Sequence, residues 1–535
     1  MKGTLAYFFS GEGKWLRRVL LAAAVVRLIA AIFSEGYIMS DDHFLAVEPV
    51  SSWVHGENYH NWYPNAYNET DHAQPFSYTY YFLNFLILKF CALIGIVNPF
   101  IQAFILRLAH AALSLWGVYL FVKLAERLIS SVTWRMFAIW FWVFGGVVTV
   151  FSVHQLVETA CIPFVLLAYL YVLKYFEKDR VGAIIIAALA FSVSVGMRYQ
   201  LVFFPLTLGL YLLWKRKWRG ALLFGIFFTL GFALTQIDNL LFWHTPIYQH
   251  LLDYQSYNAT HFADYPSNVF SYLALITYYV FPVVTGVFIY CLLRKKVAPQ
   301  HSSSGHSSPT FVAPQHSDTR TIFMGVTVFI VFHLVFPNRQ ERFLLPVVPF
   351  VLLLMIRTIS NRYPCEAPSA EPSEGTCNAP SARPWLHKAM RWSIYLSAIY
   401  TVSYSFYIPK SKYLEASHAL YDRGDFQNVV IDNWKGEESV WLPMHYVGKF
   451  VHPFSMTNKK SLEQLKQQIT HQPLYDSKRL PAPAPNYLII WGKEESYPRA
   501  KAYEEVGFQL QRISPANSES ELGFALYSLT LSSPL

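Results

Sequence analysis

Carboxylates cluster directly after the first apolar segment of the chain. The segment Ser40-Asp41-Asp42-His43-Phe44 follows this apolar segment, and Glu48 lies six or seven residues beyond the two aspartates. A carboxylate in such a position can take a proton from a sugar hydroxyl. Aromatic faces stack on sugar rings, and the aromatic residues that follow therefore favour a sugar site; they are Trp53, Tyr59, Trp62, Tyr63 and Tyr67. The other interpretation is a solvated acidic loop.

Further charged residues stand at the ends of later apolar segments, and one lies inside the first. Those at the ends are Glu158, Arg198, Asp238, Arg339, Glu341 and Arg342. Arginines in such places can hold a lipid-linked phosphate through paired hydrogen bonds. Arg27 lies within the first apolar segment, where a charge is costly and usually faces a cavity or a partner. Alternatively, Arg27 and Arg339 extend toward lipid headgroups.

The composition places these residues in a membrane protein. Of 535 residues, 53% are hydrophobic and only 14% are charged, against about 25% in an ordinary soluble domain. A chain with so few charges cannot cover a soluble surface of this size. Secreted, disordered and nucleic-acid-binding proteins are therefore excluded. The net charge of +9 is interpreted as a topology signal.

The basic residues are sorted along the chain. No Lys or Arg occurs from Glu35 to Tyr81 or from Asp238 to Cys291, whereas clusters of them recur between other apolar segments. Basic loops face the cytoplasm, and all clusters can do so if residues 76–97 lie in the interface instead of spanning. We therefore predict about eleven spans and an extracytoplasmic C-terminus. The spans are 15–34, 101–123, 136–153, 158–176, 181–197, 199–214, 219–237, 268–293, 321–337, 343–358 and 390–408.

The predicted domains follow from this topology. Residues 1–408 form an all-α transmembrane module, with an extracytoplasmic loop at 35–100 and cytoplasmic linkers at 295–320 and 359–388. Residues 409–535 have the composition of a soluble domain, and their apolar runs alternate with helical patterns. These patterns predict a small extracytoplasmic α/β domain. Its predicted strands are 428–432, 487–491 and 524–529, and its predicted helices are 462–469 and 500–506.

These segments, in this order, resemble the mannosyltransferases of glycosyltransferase family 22, among them those of GPI-anchor and dolichol-oligosaccharide assembly. The similarity covers residues 15 to 360. The matching segments are Asp41-Asp42-His43-Phe44 with Glu48, Ser77-Tyr78-Thr79-Tyr80, Arg107-Leu108-Ala109-His110-Ala111, Glu158-Thr159, Ile237-Asp238 and Arg342-Phe343. The chain departs from the family pattern where Asp42 replaces a Glu, Leu45 replaces a Gln, and Asn338-Arg339-Gln340 replaces His-Lys-Glu.

The resemblance implies a GT-C fold and a transfer of mannose from a polyprenyl-phosphate mannose to a lipid-linked glycan, with inversion at the anomeric carbon. It implies Asp41 as the base, with Asp42 as second choice, and no metal or other cofactor. The other residues that it implies contact substrate are Glu48, Glu158, Arg198, Asp238, Arg339, Glu341, Arg342 and Arg27. Arg198, Arg339 and Arg342 are expected at the donor phosphate, and Glu158 and Asp238 at the sugar.

Two other functions and two locations stay open from the sequence. One alternative is a GT-C transferase of another lipid-linked sugar, such as glucose or aminoarabinose. The other is a lipid or solute transporter, which would show two similar halves that this sequence lacks. The expected location is a bacterial inner membrane with the site facing the periplasm, or the endoplasmic reticulum with the site facing the lumen. The sequons Asn68-Glu69-Thr70 and Asn258-Ala259-Thr260 are compatible with both.

Overall fold

The computed structural model divides the chain into two compact units. It describes residues 13–57, 77–241, 244–260, 268–293, 319–336, 339–363, 384–437, 440–470, 483–491, 496–514 and 524–531. The first unit comprises the described residues within 1–34, 73–80 and 107–407. The second comprises those within 35–72, 81–106 and 408–535. The loop after the first apolar segment thus belongs to the same unit as the C-terminal α/β domain.

The described part of the chain before residue 406 is helical. Its α-helices are α1 Lys14–Phe33, α2 Ser40–Asp42, α3 Glu48–Val54, α4 Tyr78–Leu93, α5 Pro99–Leu128, α6 Val132–Val143, α7 Val147–Phe151, α8 Val157–Ala160, α9 Ile162–Lys178, α10 Val181–Met197, α11 Phe203–Trp214, α12 Trp218–Thr235, α13 Ile237–Leu241, α14 Gln249–Thr260, α15 Val269–Val280, α16 Pro282–Leu293, α17 Arg320–Val335, α18 Val348–Arg362 and α19 Pro384–Ser405. Short 3₁₀ helices occupy Tyr199–Val202 and Glu341–Val347, and a π-helix occupies His43–Val47.

Several of these helices are long and apolar enough to cross a membrane. By length and composition, four of the described helical stretches qualify, and a bent pair would make a fifth. The four are Pro99–Leu128, Val157–Lys178, Trp218–Thr235 and Glu341–Arg362. Shorter apolar helices accompany them, including α4, α10 and α17. The structure is therefore that of a membrane-type helical protein, and the number of eleven spans stays a prediction.

Two of the predicted spans are broken helices. The segment 268–293 forms α15 and α16, whose axes diverge by 102° over Tyr272–Tyr279 and Pro282–Leu293. The break lies at Phe281, whose φ is 77°, directly before a proline that has no N–H to continue the helix. The segment 136–153 breaks between α6 and α7 at Gly146, where φ is 56°, a conformation that glycine adopts at no steric cost.

Close helix packing in the first unit depends on small residues. A Cβ added to Gly196 of α10 would lie 2.4 Å from Thr235 Oγ1 of α12, and one added to Gly231 would lie 2.7 Å from Ser192 Oγ. Small residues let the backbones of membrane helices approach closely. Gly196 and Gly231 therefore allow α10 and α12 to pack closely. Gly196 lies two residues before Arg198, so this contact is next to the turn that carries Arg198.

The second unit contains the predicted C-terminal sheet. Its strands are β1 Val429–Asn433, β2 Phe454–Thr457, β3 Tyr487–Trp491, β4 Phe508–Ser514 and β5 Phe524–Leu531, in the order β2-β1-β3-β5-β4. β1 is parallel to β2 and β3, whereas β5 is antiparallel to β3 and β4. The three predicted strands are present. The two that the sequence did not indicate, β2 and β4, are the edges of the sheet, where short or alternating sequences give only a weak apolar run.

Helices cover both faces of this sheet and bring in the loop. They are α20 Ser411–Tyr421, α21 Met444–Val447, α22 Leu462–Thr470 and α23 Ser496–Glu505. One apolar core contains Leu420, Met444 and Ile489, together with Tyr37 and Phe44 from the loop. The other core contains residues of α22 and α23. Tyr37 and Phe44 thus anchor the Asp41-Asp42 segment to the C-terminal domain.

Candidate active site

The predicted catalytic aspartates begin a short helix in the second unit. Met39 is extended, with φ −117° and ψ 150°, and α2 begins at the next residue. The buried carboxylate of Asp42 accepts the Met39 N–H, at 3.1 Å for Oδ1 and 3.0 Å for Oδ2. This contact satisfies an amide at the start of the helix, as in a capping box. The side chain of Asp41, the predicted base, lies outside the described part of the structure.

Glu48, predicted to contact substrate, is instead enclosed by protein. Its side chain is 0% exposed, and its Oε1 is 2.8 Å from His43 Nε2. It also accepts the backbone N–H of His445, at 2.9 Å for Oε1 and 3.1 Å for Oε2. Burial raises the pKa of Glu48 to about 8, although backbone hydrogen bonds from Met444 and His445 oppose this shift. Burial lowers the pKa of His43 to about 3.

A charge cluster lies in the first unit, centred on Glu158. The Glu158 carboxylate is almost fully buried, with Oε1 3.0 Å from Arg198 Nη2 and 3.3 Å from Arg342 Nε. Neither carboxylate oxygen has an aligned hydrogen-bond donor among the described residues, so the contacts are ion pairs. Two guanidinium groups thus lie against one carboxylate. Such a cluster suits a phosphate.

Three separate turns position this cluster. Glu158 is the second residue of α8, which follows the extended residue Leu156. Arg198 ends α10 with an extended backbone, φ −143° and ψ 104°, and Arg342 lies in the 3₁₀ helix after α17. The guanidinium groups of both arginines lie over the ring of Phe343, at 4.7 Å and 5.5 Å from its centroid. The aromatic ring thereby helps to orient both guanidinium groups next to the Glu158 carboxylate.

Asp238 belongs to a neighbouring group in the same unit. Its Oδ2 lies 3.1 Å from Nδ1 of the buried His250, and the His250 N–H donates to Asn239 Oδ1 at 3.1 Å. Tyr254, on the same helix as His250, is subject to the charges of Arg198, Glu158 and Arg342. Neither His250 nor Tyr254 is among the site residues predicted from the sequence. Their helical spacing of four residues is the signal that places them together.

The remaining predicted residues have other surroundings. The Arg339 Nε–H donates to the Leu334 carbonyl at 3.1 Å, and Glu341 is exposed at the start of its 3₁₀ helix. Arg27 is buried and donates from Nε to Ser114 Oγ at 2.7 Å. It lines a small cavity whose other polar contributors include Thr149 and Ser152. The described contacts of Arg27 are thus with a serine and backbone carbonyls, separate from the Glu158 cluster.

The structure therefore brings together Glu158, Arg198 and Arg342, and separately Asp42, His43 and Glu48. It gives no described contact that joins Arg27, Arg339 or Glu341 to the Glu158 carboxylate. Within the ranges that the structure describes, no three His, Cys, Asp or Glu side chains are grouped so that they could hold a metal ion.

Comparison with known proteins shows similarity to glycosyltransferases. The model of the Alg9-like mannosyltransferase family matches residues 18–423. A search of curated proteins gave no match. Among solved structures, ArnT from Cupriavidus metallidurans bound to undecaprenyl phosphate is similar at 12% identity and a TM-score of 0.58, over 97% of this chain and 98% of ArnT.

A second solved structure is also similar to this chain. The oligosaccharyltransferase of Archaeoglobus fulgidus, tethered to an acceptor peptide, is similar at 11% identity and a TM-score of 0.51. The likeness covers 99% of this chain and 75% of that protein. At such low identity these likenesses concern the fold alone, and they confirm the predicted GT-C fold.

Proposed function

We propose a reaction for this chain from one premise: it belongs to the Alg9-like mannosyltransferase family. It is accordingly a membrane glycosyltransferase of the GT-C fold that uses lipid-linked sugars. We infer that the donor is a polyprenyl-phosphate mannose, that the acceptor is a lipid-linked glycan, and that the active site faces away from the cytoplasm. The observation that carries the proposal is the Glu158 cluster, where Arg198 and Arg342 share one buried carboxylate.

The leaving group of the reaction explains why two arginines at one place would be useful. As the bond between the anomeric carbon and the phosphate oxygen breaks, its electron pair stays on the phosphate, which gains one negative charge. Guanidinium groups already in place stabilise that charge without reorganisation. Because Arg198 and Arg342 are held side by side against Glu158, they suit this role. No metal is required for a single phosphate held in this way, and we propose none.

The acceptor side of the reaction needs a base. An acceptor hydroxyl oxygen forms the new bond to the anomeric carbon from the face opposite to the phosphate, which inverts the configuration and gives an α-mannoside. The hydroxyl proton passes to a carboxylate, and we assign this role to Asp41. Asp42 is the second choice, because its carboxylate already accepts the Met39 N–H.

An assay with purified protein in detergent tests this proposal. It uses radiolabelled polyprenyl-phosphate mannose with a panel of lipid-linked glycan acceptors, and polyprenyl-phosphate glucose and aminoarabinose as alternative donors. Asp41→Asn should lower transfer by about 10²-fold or more, the usual contribution of a positioned base. Asp179→Asn is the matched control, since Asp179 is exposed and paired with Lys217 at 2.8 Å.

Three outcomes would contradict the proposal. Transfer retained in both Asp41→Asn and Asp42→Asn would refute the base assignment. Product formed only from glucose or aminoarabinose donors would refute mannose as the sugar. Uptake of a solute by vesicles without any glycolipid product would favour a transporter.

A further inference from the structure

A network of buried polar side chains surrounds Glu48 in the second unit. Glu48, His43, Ser51 and His445 are all almost completely buried. Two of the contacts, His43 to Glu48 and the His445 N–H to Glu48, are described above. A third joins Ser51 Oγ to His445 Nδ1 at 2.7 Å. Four polar side chains enclosed together are costly unless each finds a partner, so this arrangement specifies one conformation of the loop.

The π-helix makes the central contact possible. His43 and Glu48 are five residues apart, and the Glu48 N–H donates to the His43 carbonyl. In an α-helix, at about 100° per residue, side chains five positions apart would point about 140° away from each other. The wider turn of a π-helix brings them to nearly the same side. One inserted residue in the helical turn after Asp42 is thus used to form the His43–Glu48 hydrogen bond.

Residues from the C-terminal domain close this network. The His43 ring lies between Tyr37, at 4.7 Å, and Tyr446, at 5.3 Å between ring centroids. The planes of His43 and Tyr446 are only 10° apart. The backbone N–H of His445 reaches Glu48 across 397 positions of sequence. The start of α21 is therefore fastened to the turn between the π-helix and α3.

Glu48 has no exposed surface with which to contact a substrate. Glu48 and the proposed base nevertheless belong to one helical segment, because α2, the π-helix and α3 follow one another without a break from Ser40 to Val54. A shift of His43 therefore moves the backbone of Asp42 and Asp41, which lie one and two residues earlier. A reacting group displaced by about 1 Å can cost about 10²-fold in rate.

We propose that Glu48, His43 and His445 are positioning residues that hold the Asp41-Asp42 turn in its reactive place, so that the C-terminal domain is part of the catalytic apparatus. This inference rests on the proposed function. It assigns a purpose to the C-terminal domain, namely to supply the N–H of His445 and the ring of Tyr446 that complete the loop. In this proposal Glu48 does not contact the substrate and acts only by holding the Asp41-Asp42 turn.

Steady-state kinetics of the full-length protein in detergent tests this inference. Glu48→Ala removes the contacts with His43 and with the His445 N–H, whereas His445→Ala keeps that N–H and removes the contact of the ring with Ser51 Oγ. Both variants should lower kcat by about 10- to 100-fold and leave the KM for donor and for acceptor within about threefold, because neither residue contacts a substrate. Glu48→Gln should retain most of kcat, since an uncharged amide can keep the contacts with His43 and with the His445 N–H. This rescue by the conservative variant would not occur if the negative charge itself acted in the reaction.

Tyr503→Phe is the matched control. Tyr503 is buried in the other core of the same domain, where its hydroxyl donates to Asp432 Oδ2 at 2.8 Å. Its loss should leave kcat unchanged although it removes a buried hydrogen bond. An equal fall of kcat in Tyr503→Phe would show that any loss of domain stability lowers turnover, and would overturn the positioning role. A rise in KM with kcat unchanged in Glu48→Ala would overturn it as well.

Hydrogen exchange of the loop separates this inference from the proposed function. Backbone amides of residues 37–54 should exchange at least about 10-fold faster in Glu48→Ala and His445→Ala than in the wild type or in Tyr503→Phe. If the wild type transfers no mannose from any donor, the proposed function fails and exchange still decides whether the network holds the loop. Unchanged exchange in both alanine variants would refute the inference.

Discussion

Replacing Glu158 by Gln should strongly destabilise the first unit. The substitution keeps the size of the side chain and removes its charge. In the folded protein this charge lies 3.0 Å from Arg198 Nη2 and 3.3 Å from Arg342 Nε. Both arginines are themselves mostly buried, at 16% and 13% exposure. After the substitution, two like charges would face each other over one neutral amide.

The magnitude follows from these distances. At an effective dielectric constant of about 20, unit charges about 3 Å apart attract by about 5 kcal/mol. Part of this energy offsets the desolvation of the three groups, so the pair adds much less than that to stability. Removing only one partner leaves the desolvation uncompensated, which typically costs about 3–5 kcal/mol. Because Arg198 and Arg342 keep some contact with solvent, we expect a loss of about 3 kcal/mol.

Reversible unfolding in mixed detergent micelles measures this loss. The control is Glu177→Gln, since Glu177 pairs with Arg127 and both side chains are about 30% exposed. An exposed ion pair of this kind contributes only about 0–1 kcal/mol. A double variant, Glu158→Gln with Arg198→Gln, should recover part of the loss because it removes one of the two positive charges that Glu158 compensates in the wild type.

A comparable effect of the two single substitutions would refute this reasoning. If Glu158→Gln changed the free energy of unfolding by no more than Glu177→Gln, the cluster would be solvated in the native protein. A double variant less stable than Glu158→Gln by the full cost of Arg198→Gln alone would show that the two residues do not interact.

Two further predictions concern pH and helix packing. Because the pKa of Glu48 is raised to about 8, against about 4.3 in the unfolded chain, its contribution to stability is complete below about pH 4 and is lost as the pH rises through about 8. Glu48→Gln should therefore lose less free energy of unfolding than the wild type between about pH 5 and pH 8, and equal losses in denaturant titrations would contradict this. Gly196→Ala should destabilise by about 1–3 kcal/mol through overpacking, since its Cβ would lie 2.4 Å from Thr235 Oγ1. Gly209→Ala, whose Cβ meets no atom within 4 Å, should stabilise by about 0.5–1 kcal/mol, and thermal denaturation that shifted both variants in the same direction would contradict the packing argument.

The family and the fold class could be predicted from the sequence because their signals are local. The shortage of charge, the apolar runs and the order of short segments such as Glu158-Thr159 and Arg342-Phe343 depend only on neighbouring residues. The central strands of the C-terminal sheet were predictable for the same reason, since β1 and β3 are continuous apolar runs. Edge strands β2 and β4 were missed because half-exposed strands alternate or are too short to stand out.

Helix breaks were harder to predict than helices. The proline at 282 and the glycine at 146 were visible in the sequence, yet both residues also occur inside continuous membrane helices. Only the observed backbone, with φ 77° at Phe281 and 56° at Gly146, identifies these positions as breaks.

The sequence by itself determined which side chains carry charge and that they stand at the ends of apolar segments. Which of them meet was decided by tertiary structure. Glu158 reaches Arg198 and Arg342 because three separate helix ends converge, and no spacing in the sequence encodes that convergence. The family resemblance implied that Glu48 contacts substrate, and the fold buries it against His43 and the backbone of His445. How far a carboxylate is exposed depends on what packs over it from distant parts of the chain.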